Sequence, residues 1–220
     1  MHFKPFDPYA AVRVYRTTLP HWKQEGATYF VTFRLADSIP RHVMMEWEHD
    51  RRVWLKARGI ELDRAGEWRV AFEKLPETDQ GSFERENARK LFCCLDECHG
   101  NCALRQPRMA GIVRDALFFF EESRYELGGF VVMPNHVHLL VAPRMGWEME
   151  KIMQSVKRYS ARRINAALGC REMPLWQKGF YDHIVRDEGE LLRCREYIRM
   201  NPEKARLRVG EFLLHAGEYS

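Results

Sequence analysis

The order of segments along the chain predicts an α+β fold built on an antiparallel sheet of split βαβ type. Two observations carry this. Strand-like runs at 27–36, 125–134 and 136–143 alternate with amphipathic helical stretches, and the last two runs adjoin across a Met-Pro-Asn turn signal.

The first strand is ATYFVTFRLA, residues 27–36, rich in β-branched and aromatic side chains and closed by Asp37 and Pro40. Residues 41–106 change character. RHVMMEWEHDRRVWLKARG and SFERENARKLFCCLDE are charged, amphipathic and helix-like, and they read as a helical insertion in which Trp47 and Trp54, seven apart, suit a small core. From Pro107 a helix is specified by Met109, Ile112, Val113, Ala116, Leu117 and Phe120 at the spacing of a buried stripe. YELGGFVVMP and HVHLLVAP follow as two strands. A helix from about Glu148 to Leu168 comes next, stopped by Gly169, with Ile152, Val156, Ser160, Ile164 and Ala167 on one side and Lys151, Arg158 and Arg162 on the other. FYDHIVRDE supplies a fourth short strand. Asp187 with Glu190 then forms a D-x-x-E capping signal for a last helix, expected to end at Asn201-Pro202. The order strand, insertion, helix, strand, strand, helix, strand, helix is ferredoxin-like with one added helix. A single domain over residues 1–220, with its insertion at about 41–106, is expected.

Composition narrows the class. The 220 residues are 45% hydrophobic, enough for a sizeable core. The N-terminal stretch lacks the apolar region of a secretory signal, and no apolar run approaches a membrane span, so a cytoplasmic protein without membrane association is expected. Net charge is +4, but residues 151–220 carry 14 Lys and Arg against 9 Asp and Glu, whereas residues 1–150 carry 21 against 22. A polyanionic partner should therefore meet the last third. Cys93, Cys94, Cys98 and Cys102 crowd CCLDECHGNC together with His99. This matches no zinc-finger or ribbon spacing, and it reads either as small buried residues at a helix end or as a structural zinc site.

In VVMPNHVHLLV, His136 and His138 project to the same side of a strand while Val137 and Leu139 face the other. Two neutral imidazoles side by side make half of a metal site. With nine histidines in the chain, roughly 0.4 such spacings arise by chance, so the pair alone decides little. On the last helix Tyr197 and Asn201 lie one turn apart, Cys194 and Glu190 continue that face, and the apolar stripe of Leu191 and Ile198 is displaced from it.

Taken together, these segments resemble the single-tyrosine HUH transposases, and within them the REP-associated tyrosine transposases. The matching stretches are YFVTFRLADSIP, VVMPNHVHLLV, VKRYSARRIN, WQKGFYDHIVRDE and YIRMNPEKARL, in this order, and they cover most of residues 28–207 outside the insertion. The resemblance implies that His136 and His138 of the His-hydrophobic-His motif and Asn201 hold a divalent cation, Mg²⁺ or Mn²⁺. It also implies that Tyr197 is the nucleophile, with Tyr159 as a competing tyrosine assigned to packing or DNA contact. The implied substrate is single-stranded or hairpin DNA, cleaved through a covalent 5′-phosphotyrosine. The oligomeric state stays open between monomer and homodimer. Lys151, Lys157, Arg158, Arg162, Lys178, Arg199 and Lys204 are candidate phosphate contacts. Trp176 is either a stacking platform for an unpaired base or a core residue. Two other functional classes remain: a nucleic-acid-binding module that keeps the sheet without cleaving, and a hydrolase in which the two histidines hold zinc.

Overall fold

The structure, a computed structural model, describes residues 1–10, 13–16, 20–61, 68–170 and 173–219. In chain order the elements are β1 (Arg13–Arg16), β2 (Pro20–Lys23), β3 (Tyr29–Arg34), α1 (Arg41–Lys56), α2 (Trp68–Glu73), α3 (Glu77–Asp96), a 3₁₀ turn at Ala103–Arg105, α4 (Pro107–Phe118), β4 (Tyr125–Val132), β5 (His136–Pro143), α5 (Met149–Leu168), β6 (Tyr181–Ile184), α6 (Glu188–Lys204) and β7 (Leu213–His215). The chain divides into two compact units, Met1–Ser38 with Gly100–Ser220, and Ile39–His99.

The first unit is organised by an antiparallel five-stranded sheet in the order β6-β3-β5-β4-β7. With β3, β4, β5 and β6 taken as first to fourth, the order is fourth-first-third-second. This is the ferredoxin-like arrangement predicted from the sequence, with β7 added at the β4 edge. β7 and the separate β1–β2 hairpin were not expected. At three or four residues each they are too short to show an alternation.

Alternation gives the sheet two different faces. Val31, Phe33, Val137, Leu139, Val141, Phe130 and Val132 point to one side, where α4 lays down Met109, Val113 and Leu117, and α5 lays down Ile152, Val156 and Ile164. Burying each of these side chains contributes roughly 1.5–3 kcal/mol, which makes this layer the main source of stability. Between Leu127 and Phe130 the β4–β5 register shifts at Gly128-Gly129, so both large residues stay on the core side although three apart. A Cβ at Gly129 would sit 2.8 Å from the carbonyl oxygen of Ala216, which is why the bulge needs glycine there. The opposite face carries Phe30, Thr32, His136, His138 and Leu140, and α6 packs on β4 and β5.

The helix signals operate as chemistry. Gly169 ends α5 in the left-handed region at φ 71°. At the start of α6 the Glu190 N–H donates to Asp187 Oδ1 at 2.7 Å, and the Arg186 N–H donates to Glu190 Oε2 at 2.7 Å, a near-reciprocal box. α6 does not end at Asn201-Pro202 but runs to Lys204. Proline removes only its own N–H, and the Ala205 N–H still reaches the Asn201 carbonyl at 3.0 Å.

The second unit contains α1, α2 and α3, the helices read as an insertion, whereas residues 100–106 belong to the first unit. Leu55, Ile60 and Phe72 form one small core with Trp54 and Phe83, and Ile39, Cys94 and Leu95 form another with Val43 and Trp47. Both tryptophans thus pack as core residues.

Candidate active site

The site begins at the turn joining β4 to β5. The Met133 N–H donates to the His136 carbonyl at 2.8 Å, and Leu35 beyond the end of β3 donates its N–H to the Asn135 carbonyl at 2.8 Å. The start of β5 is therefore pinned from two sides. His136 and His138 then project from the same face of this central strand, both fully buried, with their Nε2 atoms 3.0 Å apart.

Each imidazole is held at its other nitrogen. Asn135 Oδ1 lies 2.7 Å from His136 Nδ1, and Thr32 Oγ1 lies 2.6 Å from His138 Nδ1. An amide oxygen only accepts, so His136 carries its proton on Nδ1 and presents a lone pair at Nε2. A hydroxyl both donates and accepts, so Thr32 supports either tautomer of His138. In one, His138 Nε2–H donates to His136. In the other, His138 donates from Nδ1 to Thr32 and both Nε2 lone pairs aim at one point. Thr32 is placed by register, since it sits directly across from His138 in the β3–β5 ladder.

Burial favours the neutral form of both rings. It pushes His136 down to about 3, opposed in part by a side-chain hydrogen bond with Asn201. His138 is held well below the ordinary histidine value by burial and by the adjacent His136. Neutral imidazole is the form that ligates a metal.

α6 brings the other residues. The Tyr197 ring meets His138 edge-on, with centroids 5.1 Å apart at 74°, and Phe30 stacks on His138 at 5.4 Å while touching Tyr197 at 6.0 Å. Asn201, one turn on, is fully buried and reaches His136. The Lys204 ammonium lies 4.8 Å from the centroid of the Tyr197 ring. Cys194, on the same face, has its thiol pushed up to about 12 by burial, which makes it a poor nucleophile. Glu190 is engaged in capping through Oε2, and its Oε1 accepts from His183 Nε2 at 2.8 Å. The structure thus brings His136, His138, Asn201, Tyr197 and Lys204 together.

The remaining candidates are distributed differently. Lys151, Arg158 and Arg162 are exposed on the outer face of α5, which covers the core face of the sheet opposite the histidines. Lys178 is exposed in the loop before β6. Lys157 is folded onto that loop, donating at 2.6 Å to the carbonyls of both Gln177 and Gly179. Trp176 is 8% exposed, meets Phe33 edge-on at 4.7 Å and donates its indole N–H to Ser160 at 3.0 Å, so its ring is committed to the core. Arg199 pairs with Glu196 on its own helix at 2.6 Å. Tyr159 lies on the far side with Lys151, stacked on Phe119. Thr32, Phe30 and Asn135 were not singled out from the sequence. The signal for Thr32 is register, which a strand shows only once its neighbour is known.

Fold and site define an α+β protein in which a buried histidine pair on the central strand faces a tyrosine on the closing helix. Comparison with known proteins finds the following similarities. Residues 109–201, from α4 to Asn201, match the family model of IS200-like transposases. A protein of Haemophilus influenzae without an assigned function is 30% identical over 105 aligned residues, covering 38% of this chain and 57% of that protein. A second from the same organism, described provisionally as a REP-associated tyrosine transposase, is 25% identical over 93 residues, covering 38% and 53%. The chain thus spans a little over half the length of these curated relatives. A solved structure of a REP-associated tyrosine transposase bound to a REP hairpin aligns with a TM-score of 0.45 at 15% identity, covering 86% of this chain and 74% of that one. Among the described residues no helix is long and apolar enough to cross a membrane.

Proposed function

We propose that the protein is a transposase-type DNA endonuclease and strand-transferase acting on single-stranded or hairpin DNA, with Tyr197 as nucleophile. The observation that carries this reading is the contact of the Tyr197 ring with a buried, neutral imidazole pair whose Nε2 atoms are 3.0 Å apart. The DNA class comes from the IS200-like family match and from the hairpin-bound relative.

The donor set fits a divalent cation. Two neutral imidazoles have their Nδ1 edges anchored, and a buried amide lies beside them. His136, His138 and Asn201 would hold Mg²⁺ or Mn²⁺, which when bound supplies Lewis acidity to a phosphoryl oxygen. The chain itself must do the rest. A phenol has a pKa near 10 (about three units above neutrality), so Tyr197 needs help to react as phenolate, and the Lys204 ammonium over its ring favours that anion. The phenolate oxygen attacks phosphorus and the P–O3′ bond breaks. The 5′ phosphate stays on Tyr197, and the departing 3′ oxygen takes up a proton. The link keeps the bond energy, so a 3′ hydroxyl can reverse the step and rejoin strands without ATP. Phe30 packs on both the His138 and Tyr197 rings and so helps to fix the angle between them. Arg199 and Lys204 stand on the reacting side of the sheet. Lys151, Arg158, Arg162 and Lys178 lie on the other side, where they would meet phosphates remote from the cleaved one.

The test is incubation with 5′- and 3′-labelled hairpin DNAs in Mn²⁺, followed by denaturing gels. The reading expects a protein adduct that keeps the label 3′ of the cut. Binding without any adduct, steeply salt-dependent and indifferent to metal, would replace it with a non-cleaving binding module.

A further inference from the structure

The helical unit carries a second cluster of metal-ligating atoms that the transposase reading does not use. At the end of α3, Cys94 Sγ, a Glu97 carboxylate oxygen and a His99 ring nitrogen all lie within 4.8 Å of one another. We propose that Cys94, Glu97 and His99 form a zinc site that fastens the C-terminal end of α3. This proposal is independent of the function proposed above.

Local structure explains how positions i, i+3 and i+5 converge. α3 ends at Asp96, and Glu97 follows in helical geometry. Cys98 then adopts φ 54°, with its N–H donating to the Leu95 carbonyl at 3.0 Å. A non-glycine residue in the left-handed region is uncommon. Here it reverses the chain, so that His99 Nε2 comes back to 2.6 Å from Glu97 Oε2, beside the thiol one turn earlier. Cys94 is fixed, 6% exposed among Ile39, Leu95, Val43 and Trp47. Glu97 is exposed and His99 half-buried, so both have room to adjust. Tetrahedral zinc with bonds of about 2.0–2.3 Å sets its ligands roughly 3.3–3.8 Å apart, within the span the three atoms already occupy.

Charge supplies a second, separate argument. The C-terminus of a helix presents unsatisfied carbonyls and about half a negative charge, which a cation offsets. The last turn of the 20-residue α3 contains no basic side chain, so nothing on the helix itself does this. One thiolate, one imidazole and one carboxylate form a borderline donor set that selects zinc over magnesium or calcium. Three protein ligands leave the fourth position to water.

The experiment uses the full chain in a His136→Ala/His138→Ala background, which removes the other imidazole pair. The protein is loaded with Zn²⁺, desalted and assayed for zinc by mass spectrometry, and loaded in parallel with Co²⁺ for absorption spectroscopy. One zinc per chain is expected, with a near-ultraviolet thiolate-to-cobalt charge-transfer band that a site of nitrogen and oxygen ligands lacks. Cys94→Ser should abolish the band, and His99→Ala should lower zinc retention at least tenfold. Because Cys94 is buried, His99→Ala, at a half-buried position and checked for unchanged circular dichroism, guards against loss by unfolding. Absence of retained zinc in the background protein, a cobalt spectrum without the thiolate band, or zinc retained equally in folded His99→Ala would each overturn the proposal.

Discussion

Thr32→Val isolates the part of the site that only the three-dimensional register reveals. Valine keeps the shape of threonine but cannot hydrogen-bond, and the side chain it replaces is 2% exposed with its hydroxyl 2.6 Å from His138 Nδ1. The variant leaves a fully buried ring nitrogen without that partner, which costs about 1–3 kcal/mol. For a chain of this size each kcal/mol lowers the melting temperature by roughly 2–4 °C, so a drop of about 2–12 °C is expected. The functional effect is distinct. Without Thr32 the His138 tautomer that aims both Nε2 lone pairs at one point is no longer supported, and Mn²⁺ affinity should fall about 10–100-fold, the usual loss when a partner of a metal-ligating histidine is removed. Calorimetric titration with Mn²⁺ measures the affinity and a thermal melt the stability. Thr32→Ser, which restores the hydroxyl, should recover most of the affinity. If Thr32→Val binds Mn²⁺ as the unaltered protein does, the hydroxyl does not set the ring's tautomer and the reasoning fails.

Three further outcomes follow from the geometry. His136 is neutral when folded down to about pH 3 but titrates near 6.5 when unfolded, so the unfolded chain binds more protons between those values and stability falls with acidification. Unfolding free energies from urea titrations should decline by about 1.4 kcal/mol per pH unit from this group between about pH 6 and 4, and His136→Asn should flatten the slope. Asp187→Ala removes the cap of α6 and should cost roughly 0.5–2 kcal/mol in the same assay, whereas Asp187→Ser should cost less. Lys157→Met removes both donors to the Gln177 and Gly179 carbonyls, and faster amide exchange across the loop leading into β6 should report it, with exchange in β5 unchanged.

Much of the fold was legible because its elements announce themselves locally. The α4 and α5 stripes, the Gly169 stop and the Asp187 cap each rest on a few neighbouring residues, and each operates in the structure as those residues imply. Alternation likewise put His136 and His138 on one face. What was not legible depends on contacts distant in sequence. Thr32 gains its meaning only from lying across from His138, some hundred residues on. The α5 cations read as a candidate DNA face, but helical projection does not reveal which side of the sheet the helix covers, and α5 covers the side away from Tyr197. Trp176 had two readings open, and its hydrogen bond to Ser160, a residue of the α5 stripe, decides for the core. β7 escaped because three residues carry no period.

The central claim is that Tyr197, and not another tyrosine, takes the DNA. Digesting the Mn²⁺-dependent adduct with trypsin separates the two competitors cleanly, because Tyr197 falls in the peptide EYIR and Tyr159 in YSAR. Mass spectrometry should find the nucleotide on EYIR, and Tyr197→Phe should form no adduct. A nucleotide on YSAR, or an adduct that persists in Tyr197→Phe, would contradict the account.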